Sequence, residues 1–316
     1  MEFVAKGLQG YFRIMLININ GVITGKEDAK VSVFDRGFLF GDSIYEVTLT
    51  YDYVLFKLEE HFDRLWESAE SLALHISHSR KELTYEVNKT LKQLNEKRAY
   101  VRIIITRGEG MIGLDPNLAS KNNVIIICKS LPENPNWWYE TGVEMIIANI
   151  LRNPKESMDP SIKSGNYLNN VLAYAEAKKQ GAFDAIMLNR DGFITEGTTN
   201  NIWMIKNKEI ITPPLGAGLL PGITRQTLIE LAKLKNLPVS EKNFTRDELY
   251  SADESFLTSS TKELVPIVKI NGKSIGSAVP GPLTRKLHQI YKDHVQECVK
   301  QGKNKLFFTI FPSDSD

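Results

Sequence analysis

Short β-branched segments recur along this chain, but they do not alternate regularly with helices as a doubly wound sheet would require. Residues 100–106 and 123–128 are dominated by valine and isoleucine, which is typical of strands. Residues 59–74 and 79–94 instead place apolar side chains at spacings of three and four, which predicts two helices. The sequence therefore predicts an α+β fold in which strands and helices are grouped.

The length of 316 residues exceeds what one hydrophobic core usually serves, so two domains are expected. The run at 131–136 contains two prolines and two asparagines, which interrupt any regular element and indicate a linker. The predicted organisation is an N-terminal extension (1–15), a small N-terminal domain (16–130), an interdomain linker (131–138) and a larger C-terminal domain (139–316).

Local signals predict further elements. The Asn20-Gly21 pair between apolar residues indicates a hairpin, and the alternating run at 31–34 indicates an extended segment. An amphipathic helix is predicted over 166–180, ended by Gly181, and later helices are predicted over 223–235 and 282–300. The acidic end at 313–316 is expected to be disordered.

Charge and cysteine content exclude several classes of protein. A formal net charge of +1 gives no field for nucleic acid or an anionic membrane. The two cysteines exclude a disulfide scaffold and favour the reducing cytoplasm, and the five scattered histidines give no zinc signature. No apolar stretch reaches the length of a membrane span.

Three separated motifs carry the groups needed to hold an aldehyde cofactor with a ring nitrogen and a phosphate. Lys163, in Ser161-Ile162-Lys163-Ser164-Gly165, offers an amine for a Schiff base. Glu196, in Thr195-Glu196-Gly197, offers a carboxylate for a pyridine nitrogen. The turn Pro221-Gly222-Ile223-Thr224 opens a helix that suits a phosphate, which Arg64 could also clamp. Each motif alone is more often structural, and only the combination indicates pyridoxal phosphate.

In this order and at these separations, the motifs resemble those of the class IV (fold type IV) pyridoxal-phosphate aminotransferases. That family includes branched-chain, D-amino-acid and aminodeoxychorismate enzymes. The resemblance extends from residue 16 to about 291, and its most specific runs are 35–46 and 61–69. It implies a small N-terminal α/β domain, a larger C-terminal domain with a β-barrel-like core, a homodimer and pyridoxal 5′-phosphate as the cofactor.

The resemblance also implies roles for individual residues. Lys163 forms the internal aldimine and moves the proton, Glu196 pairs with the pyridine nitrogen, and Leu220 packs on the ring. Tyr167 approaches the phenolic oxygen of the cofactor. The phosphate ligands are Arg64, Ile223, Thr224, Ser259 and Ser260, and the candidate substrate contacts are Phe40, Tyr45, Tyr100, Arg102, Arg107 and Thr261.

The substrate motifs disagree with one another. The Tyr100-Val101-Arg102 run resembles branched-chain enzymes, but Val47-Thr48-Leu49 follows Glu46 where those enzymes carry Gly-x-Arg. The arginine and histidine that trap the substrate carboxylate in D-amino-acid enzymes are replaced by Ile112 and Leu114. The apolar side chains of Ile112 and Leu114 favour a branched-chain L-amino acid as the substrate, with a 2-oxo acid such as 2-oxoglutarate as the partner substrate. A D-alanine-type transaminase and an aminodeoxychorismate lyase are the alternatives.

Overall fold

The computed structural model describes residues 15–310, so the predicted extension and the acidic end lie largely or wholly outside the described residues. The described chain packs into two compact units. The first unit contains the described chain up to Pro132, the short segment Lys163–Asn166 and the chain from Glu297 onward. The second contains Glu133–Ile162 and Tyr167–Gln296. Lys163 therefore packs with the N-terminal part of the chain, although the residues on either side of its segment belong to the second unit.

The first unit is built on a six-stranded antiparallel sheet with the strand order β2-β1-β6-β5-β3-β4. Its strands are β1 (Met15–Ile19), β2 (Val22–Gly25), β3 (Ser43–Tyr51), β4 (Val54–Leu55), β5 (Ala99–Thr106) and β6 (Asn123–Ser130). The predicted hairpin is confirmed, because Asn20 and Gly21 both have positive φ (52° and 89°) between β1 and β2. That conformation matches the primed turns that suit tight hairpins.

Three helices accompany this sheet: α1 (Arg36–Phe40), α2 (Leu58–Ser71) and α3 (Arg80–Leu94). The apolar faces of α2 and α3 share one core with the buried side of the sheet, including Phe62, Leu83 and Ile103. Side chains along β5 alternate between buried and partly exposed, so Arg102 lies on the face opposite this core. The extended segment predicted at 31–34 does not pair as a strand, and Val33 and Phe34 are exposed in a turn.

The second unit contains a closed barrel of six strands in the order β7-β8-β9-β10-β13-β14. Its strands are β7 (Val143–Ile147), β8 (Asp184–Leu188), β9 (Ile194–Gly197), β10 (Asn201–Lys206), β11 (Glu209–Thr212), β12 (Val239–Glu241), β13 (Glu254–Ser259), β14 (Glu263–Ile270) and β15 (Lys273–Ser274). The pairing of Glu196 with Asn201 between β9 and β10 closes the ring. The barrel-like core predicted for the C-terminal part of the chain is therefore present.

The helices of the second unit are α4 (Trp137–Glu140), α5 (Leu168–Lys179), α6 (Ile223–Leu234), α7 (Arg246–Tyr250) and α8 (Pro282–Ile310), whose C-terminal part belongs to the first unit. Gly181, with φ of 71°, follows α5 as predicted. The prediction that α5 buries an apolar face is wrong, because its large apolar side chains are exposed. The helix buries Asn170, Ala173 and Ala177, whereas Leu168 and Val171 are 69% and 56% exposed.

Candidate active site

In the first unit, Lys163 is held by its backbone against the start of β3. Its carbonyl accepts a hydrogen bond from the backbone N–H of Tyr45 (2.9 Å), and its own N–H donates to the Ser68 hydroxyl (3.1 Å). The residue is 8% exposed, and its Nζ lies 3.4 Å from the Tyr45 hydroxyl and 4.4 Å from the centre of that ring. The amine is therefore fixed in position by sheet and helix together, as a covalent anchor requires.

Arg102 and Lys163 both contact the ring of Tyr45. Its guanidinium lies 3.9 Å from the ring centre, a close cation–π contact. Tyr45 and Arg102 both point to the face of the sheet that lies away from the core, since side chains alternate along β3 and β5. Within residues 15–310, Arg102 makes no hydrogen bond to a protein acceptor and no ion pair, so its donors are available to an anion.

Arg107, predicted as a second carboxylate ligand, makes several hydrogen bonds to the first unit. Its guanidinium donates to the Asp42 carboxylate (2.7 Å) and to the carbonyls of Ala73 (3.0 Å) and Leu72 (2.9 Å). These bonds tie the strand end to the chain that follows α2. The substrate contact predicted for Arg107 stays a prediction, but these three bonds already use the donors along its planar fork.

Beneath β3, a fully buried carboxylate organises Arg64. Glu46 accepts two bonds from Arg64, at 2.6 Å to Nε and 2.7 Å to an Nη, and one from His61 Nδ1 at 2.7 Å. Burial alone would raise the pKa of the Glu46 carboxyl, but Arg64 and His61 outweigh it and hold that pKa far below its usual range. Burial lowers the pKa of His61, so the ring is neutral beside the Arg64–Glu46 ion pair. The bidentate geometry fixes the orientation of the Arg64 fork.

In the second unit, Glu196 is buried on β9 with both carboxylate oxygens engaged. Oε1 accepts from Arg152 Nε at 2.9 Å, and Oε2 accepts from the backbone N–H of Leu220 at 3.1 Å. Arg152 also donates to the side chain of Asn169 (3.0 Å). These two bonds orient the carboxylate.

A tight turn leads from Leu220 into α6. Asn201 donates to the Leu220 carbonyl (3.0 Å), and a Cβ on Gly222 would come within 2.0 Å of the Asn201 side-chain oxygen. Only glycine fits this approach. Gly222 is the N-cap of a helix of 12 residues whose first turn contains Ile223 and Thr224. Their backbone N–H groups have no partner within the helix, which gives the predicted phosphate ligands the expected geometry for an anion.

The remaining candidate residues lie on separate elements. Ser259, Ser260 and Thr261 form the turn between β13 and β14, and Tyr167 is the residue that precedes α5. Phe40 ends α1, where its ring lies 5.1 Å from the Arg36 guanidinium. The Tyr100 ring lies 5.0 Å from the Lys129 amine on the neighbouring strand.

Sequence reasoning missed Arg152, Ser68 and the role of Glu46 and His61. Arg152 lies in an irregular segment with no spacing signal, and its charge alone does not distinguish it from a surface arginine. Glu46 and His61 stood in the two most specific motifs, but only the pairing of β3 with α2 brings them together. In residues 15–310, no group of three or more histidine, cysteine, aspartate or glutamate residues could hold a metal, and no helix is long and apolar enough to cross a membrane.

This fold and site geometry define a known class of enzymes. The family model of amino-transferase class IV matches residues 43–270. A Methanocaldococcus jannaschii protein, provisionally named a branched-chain-amino-acid aminotransferase, is 41% identical over 88% of this chain and 96% of its own. The D-alanine aminotransferase of Bacillus licheniformis is 35% identical over 89% of this chain and 97% of its own. The chain thus belongs to the class IV aminotransferases.

A solved structure supports the same assignment. The T.th. branched-chain amino acid aminotransferase, solved with pyridoxamine 5′-phosphate, matches with a TM-score of 0.85 and 28% identity, over 90% of this chain and 94% of that one. The predicted family, the fold type and the aminotransferase activity are therefore confirmed. The relatives disagree on substrate just as the motifs do.

Proposed function

We propose that this chain is a pyridoxal-5′-phosphate-dependent aminotransferase that acts on branched-chain L-amino acids, with 2-oxoglutarate as an acceptor. The buried Lys163 amine beside the Tyr45 hydroxyl carries the proposal, since it supplies a fixed nucleophile and proton carrier. Bound pyridoxal phosphate supplies an electron sink for the substrate Cα. The T.th. enzyme was solved with pyridoxamine 5′-phosphate, the amine form of that cofactor, which supports the proposal.

The described residues fit the cofactor group by group. The oriented Glu196 carboxylate suits a protonated pyridine nitrogen, and the N-terminus of α6, with Ile223 and Thr224, suits a phosphate dianion. Arg64 is oriented by Glu46 and would complete the phosphate site. Leu220, whose N–H holds Glu196, would pack on the ring, and Tyr167 would approach its phenolic oxygen. The protonated Lys163 amine would donate a hydrogen bond to the Tyr45 hydroxyl, which would keep the amine in place.

Arg102 supports an amino acid and a 2-oxo acid as the substrates. Its guanidinium has no protein anion to bind within the described residues and lies beside the same ring as Lys163. A carboxylate there would form a charge-assisted bond while the Cα stays near the amine. Phe40, Tyr100 and Thr261 would complete the substrate contacts. The 41% identity to the Methanocaldococcus protein, above the 35% to the Bacillus D-alanine enzyme, favours the branched-chain substrate.

Half-reactions with L- and D-amino acids test this function. Mixing the cofactor-loaded enzyme with L-leucine, L-valine, D-alanine or D-glutamate should convert the aldehyde form of the cofactor to the amine form, which absorbs at shorter wavelength. We expect conversion with the branched-chain L-amino acids and slower conversion with both D-amino acids. Conversion by D-alanine alone would establish the D-alanine alternative, and pyruvate release from aminodeoxychorismate without any acceptor would establish the lyase.

The same assay with arginine variants tests the carboxylate site. Arg102→Ala should raise the amino-acid concentration for half-maximal conversion by about 10-fold or more, since it removes a charge-assisted ligand. Arg107→Ala, directly after the same strand, is the matched control, and it should lower the melting temperature with little effect on that concentration. The reverse pattern would assign the carboxylate to Arg107.

We include a homodimer in the proposal because both units expose apolar side chains. Met111, Ile112 and Leu114 are 72%, 72% and 81% exposed in the first unit, and Leu168 and Val171 on α5 are exposed in the second. Exposed apolar side chains grouped in this way mark protein interfaces. Sedimentation equilibrium at micromolar concentration should give twice the chain mass of 35.7 kDa, and a monomer would contradict this part of the proposal.

Both cysteines are free thiols, which supports action in the reducing cytoplasm.

A further inference from the structure

The turn from Ser259 to Glu263, here called the hydroxyl loop, holds an unfavourable backbone conformation. It joins β13 to β14, and Ser259 and Glu263 pair directly across its base. Glu263 has a φ of 57°, in the left-handed region that residues other than glycine, asparagine and aspartate rarely adopt. Such a conformation persists only where surrounding contacts determine it, so the contacts around this loop need explanation.

Two side chains from the predicted linker region and from α4 fix the loop backbone. Tyr139 donates its hydroxyl proton to the Lys262 carbonyl at 3.0 Å. Asn134 donates to the Thr261 carbonyl at 2.9 Å and also to the Tyr139 hydroxyl at 2.8 Å. Two consecutive peptide carbonyls of the loop are therefore bound by one small network.

Helix α8 holds the same network from another direction. His288 Nε2 lies 2.8 Å from a carboxylate oxygen of Glu263, the residue with the left-handed backbone. The His288 ring stacks on Tyr139 with 4.7 Å between ring centres and 30° between planes. Tyr139 is thus fixed by stacking and by two hydrogen bonds, so its hydroxyl cannot turn away from the loop.

Two of the three hydroxyl groups in the loop, those of Ser260 and Thr261, have no hydrogen-bond partner in the described part of the chain. The Ser259 hydroxyl accepts from the Lys262 N–H at 3.3 Å, which closes the turn internally. A loop that is held at its carbonyls and free at its hydroxyls is arranged to bind an oxyanion.

We infer that Tyr139 and Asn134 are positioning residues for phosphate binding, acting through the hydroxyl loop. This inference rests on the proposed function, in which Ser259 and Ser260 bind the cofactor phosphate. Neither residue needs to touch the cofactor. Each fixes a loop carbonyl, and through it the orientation of the hydroxyls that do.

The test compares pyridoxal 5′-phosphate with pyridoxal, which lacks the phosphate, by absorbance titration of the full chain. Tyr139→Phe keeps the ring stack and removes one hydroxyl, and Asn134→Ala removes the other donor. Each should weaken the affinity for pyridoxal phosphate by about 5- to 50-fold, because a partly buried loop carbonyl loses the donor that fixes it. The affinity for pyridoxal should stay unchanged. The double variant should lose less than the product of the two single losses, since both act on one loop.

Tyr250→Phe is the matched control, because this tyrosine also lies in the second unit but bonds Asn271 at 3.4 Å, outside the loop. It should leave both affinities unchanged. Equal losses for pyridoxal and pyridoxal phosphate, or no loss with either Tyr139→Phe or Asn134→Ala, would overturn the inference. Failure of the wild-type chain to bind pyridoxal phosphate would instead contradict the proposed function, before any variant is compared.

Discussion

Replacing Lys163 with alanine should lower the rate of the amino-acid half-reaction by at least about 10³-fold, since one residue supplies both nucleophile and proton transfer. The fold should survive, because the backbone N–H and carbonyl of residue 163 make the contacts with Ser68 and Tyr45. Stopped-flow absorbance with L-leucine measures the rate, and the melting temperature measures the fold.

Lys155→Ala is the matched control for this prediction. The Lys155 side chain is 71% exposed and forms a long ion pair with Asp159 at 3.7 Å, so its loss should change neither rate nor melting temperature. A Lys163→Ala variant that retains a rate within about tenfold of wild type would show that another group carries the chemistry.

Replacing Arg64 should weaken the fold as well as cofactor retention. Arg64→Met leaves the Glu46 carboxylate buried without its ion-pair partner, which should cost about 3–5 kcal/mol of unfolding free energy. Adding Glu46→Leu removes the stranded charge, so the double variant should recover most of that loss. Cofactor affinity should not recover, because the phosphate ligand is still missing. Urea unfolding and cofactor titration of the two variants separate the two roles, and joint recovery of both properties would exclude Arg64 as a phosphate ligand.

The Arg64–Glu46 ion pair also predicts how the free energy of unfolding depends on pH. The folded-state pKa of Glu46 is lowered, so its contribution is complete above the unfolded value of about 4.3 and is lost as pH falls below it. Wild type should therefore lose stability between about pH 5 and pH 3 more steeply than Glu46→Gln, which cannot ionise there. An equal pH dependence of stability in the two proteins would show that the ion pair does not lower the pKa of Glu46 in the folded state.

The fold was largely predictable because its signals are local. The β-branched run in β5, the three-and-four spacing in α2 and α3, and the Asn20-Gly21 turn each depend on neighbouring residues. The direction of α5 was not predictable in this way. Its apolar side chains fit a buried helix by composition, but the core beneath it accepts only Ala173 and Ala177. Such a choice depends on the space left by other elements.

The residues of the candidate site also differ in whether local motifs predict them. Lys163, Glu196 and the Gly222 turn follow from motifs whose chemistry is contained in a few adjacent residues. Arg102 lies within β5 and Arg107 directly follows that strand, and as sequence signals the two arginines look alike. Asp42 and two carbonyls occupy Arg107, and no protein acceptor occupies Arg102 within the described residues. The partners that distinguish them are distant in sequence, so the difference between the two arginines could not be predicted from their neighbours.

Covalent trapping of the cofactor tests the central claim most directly. The chain is incubated with pyridoxal 5′-phosphate, reduced with borohydride, digested and analysed by mass spectrometry for lysines that carry the reduced cofactor. We predict stoichiometric modification of Lys163. Modification confined to another lysine, such as Lys262 beside Thr199, or no modification at all, would contradict it.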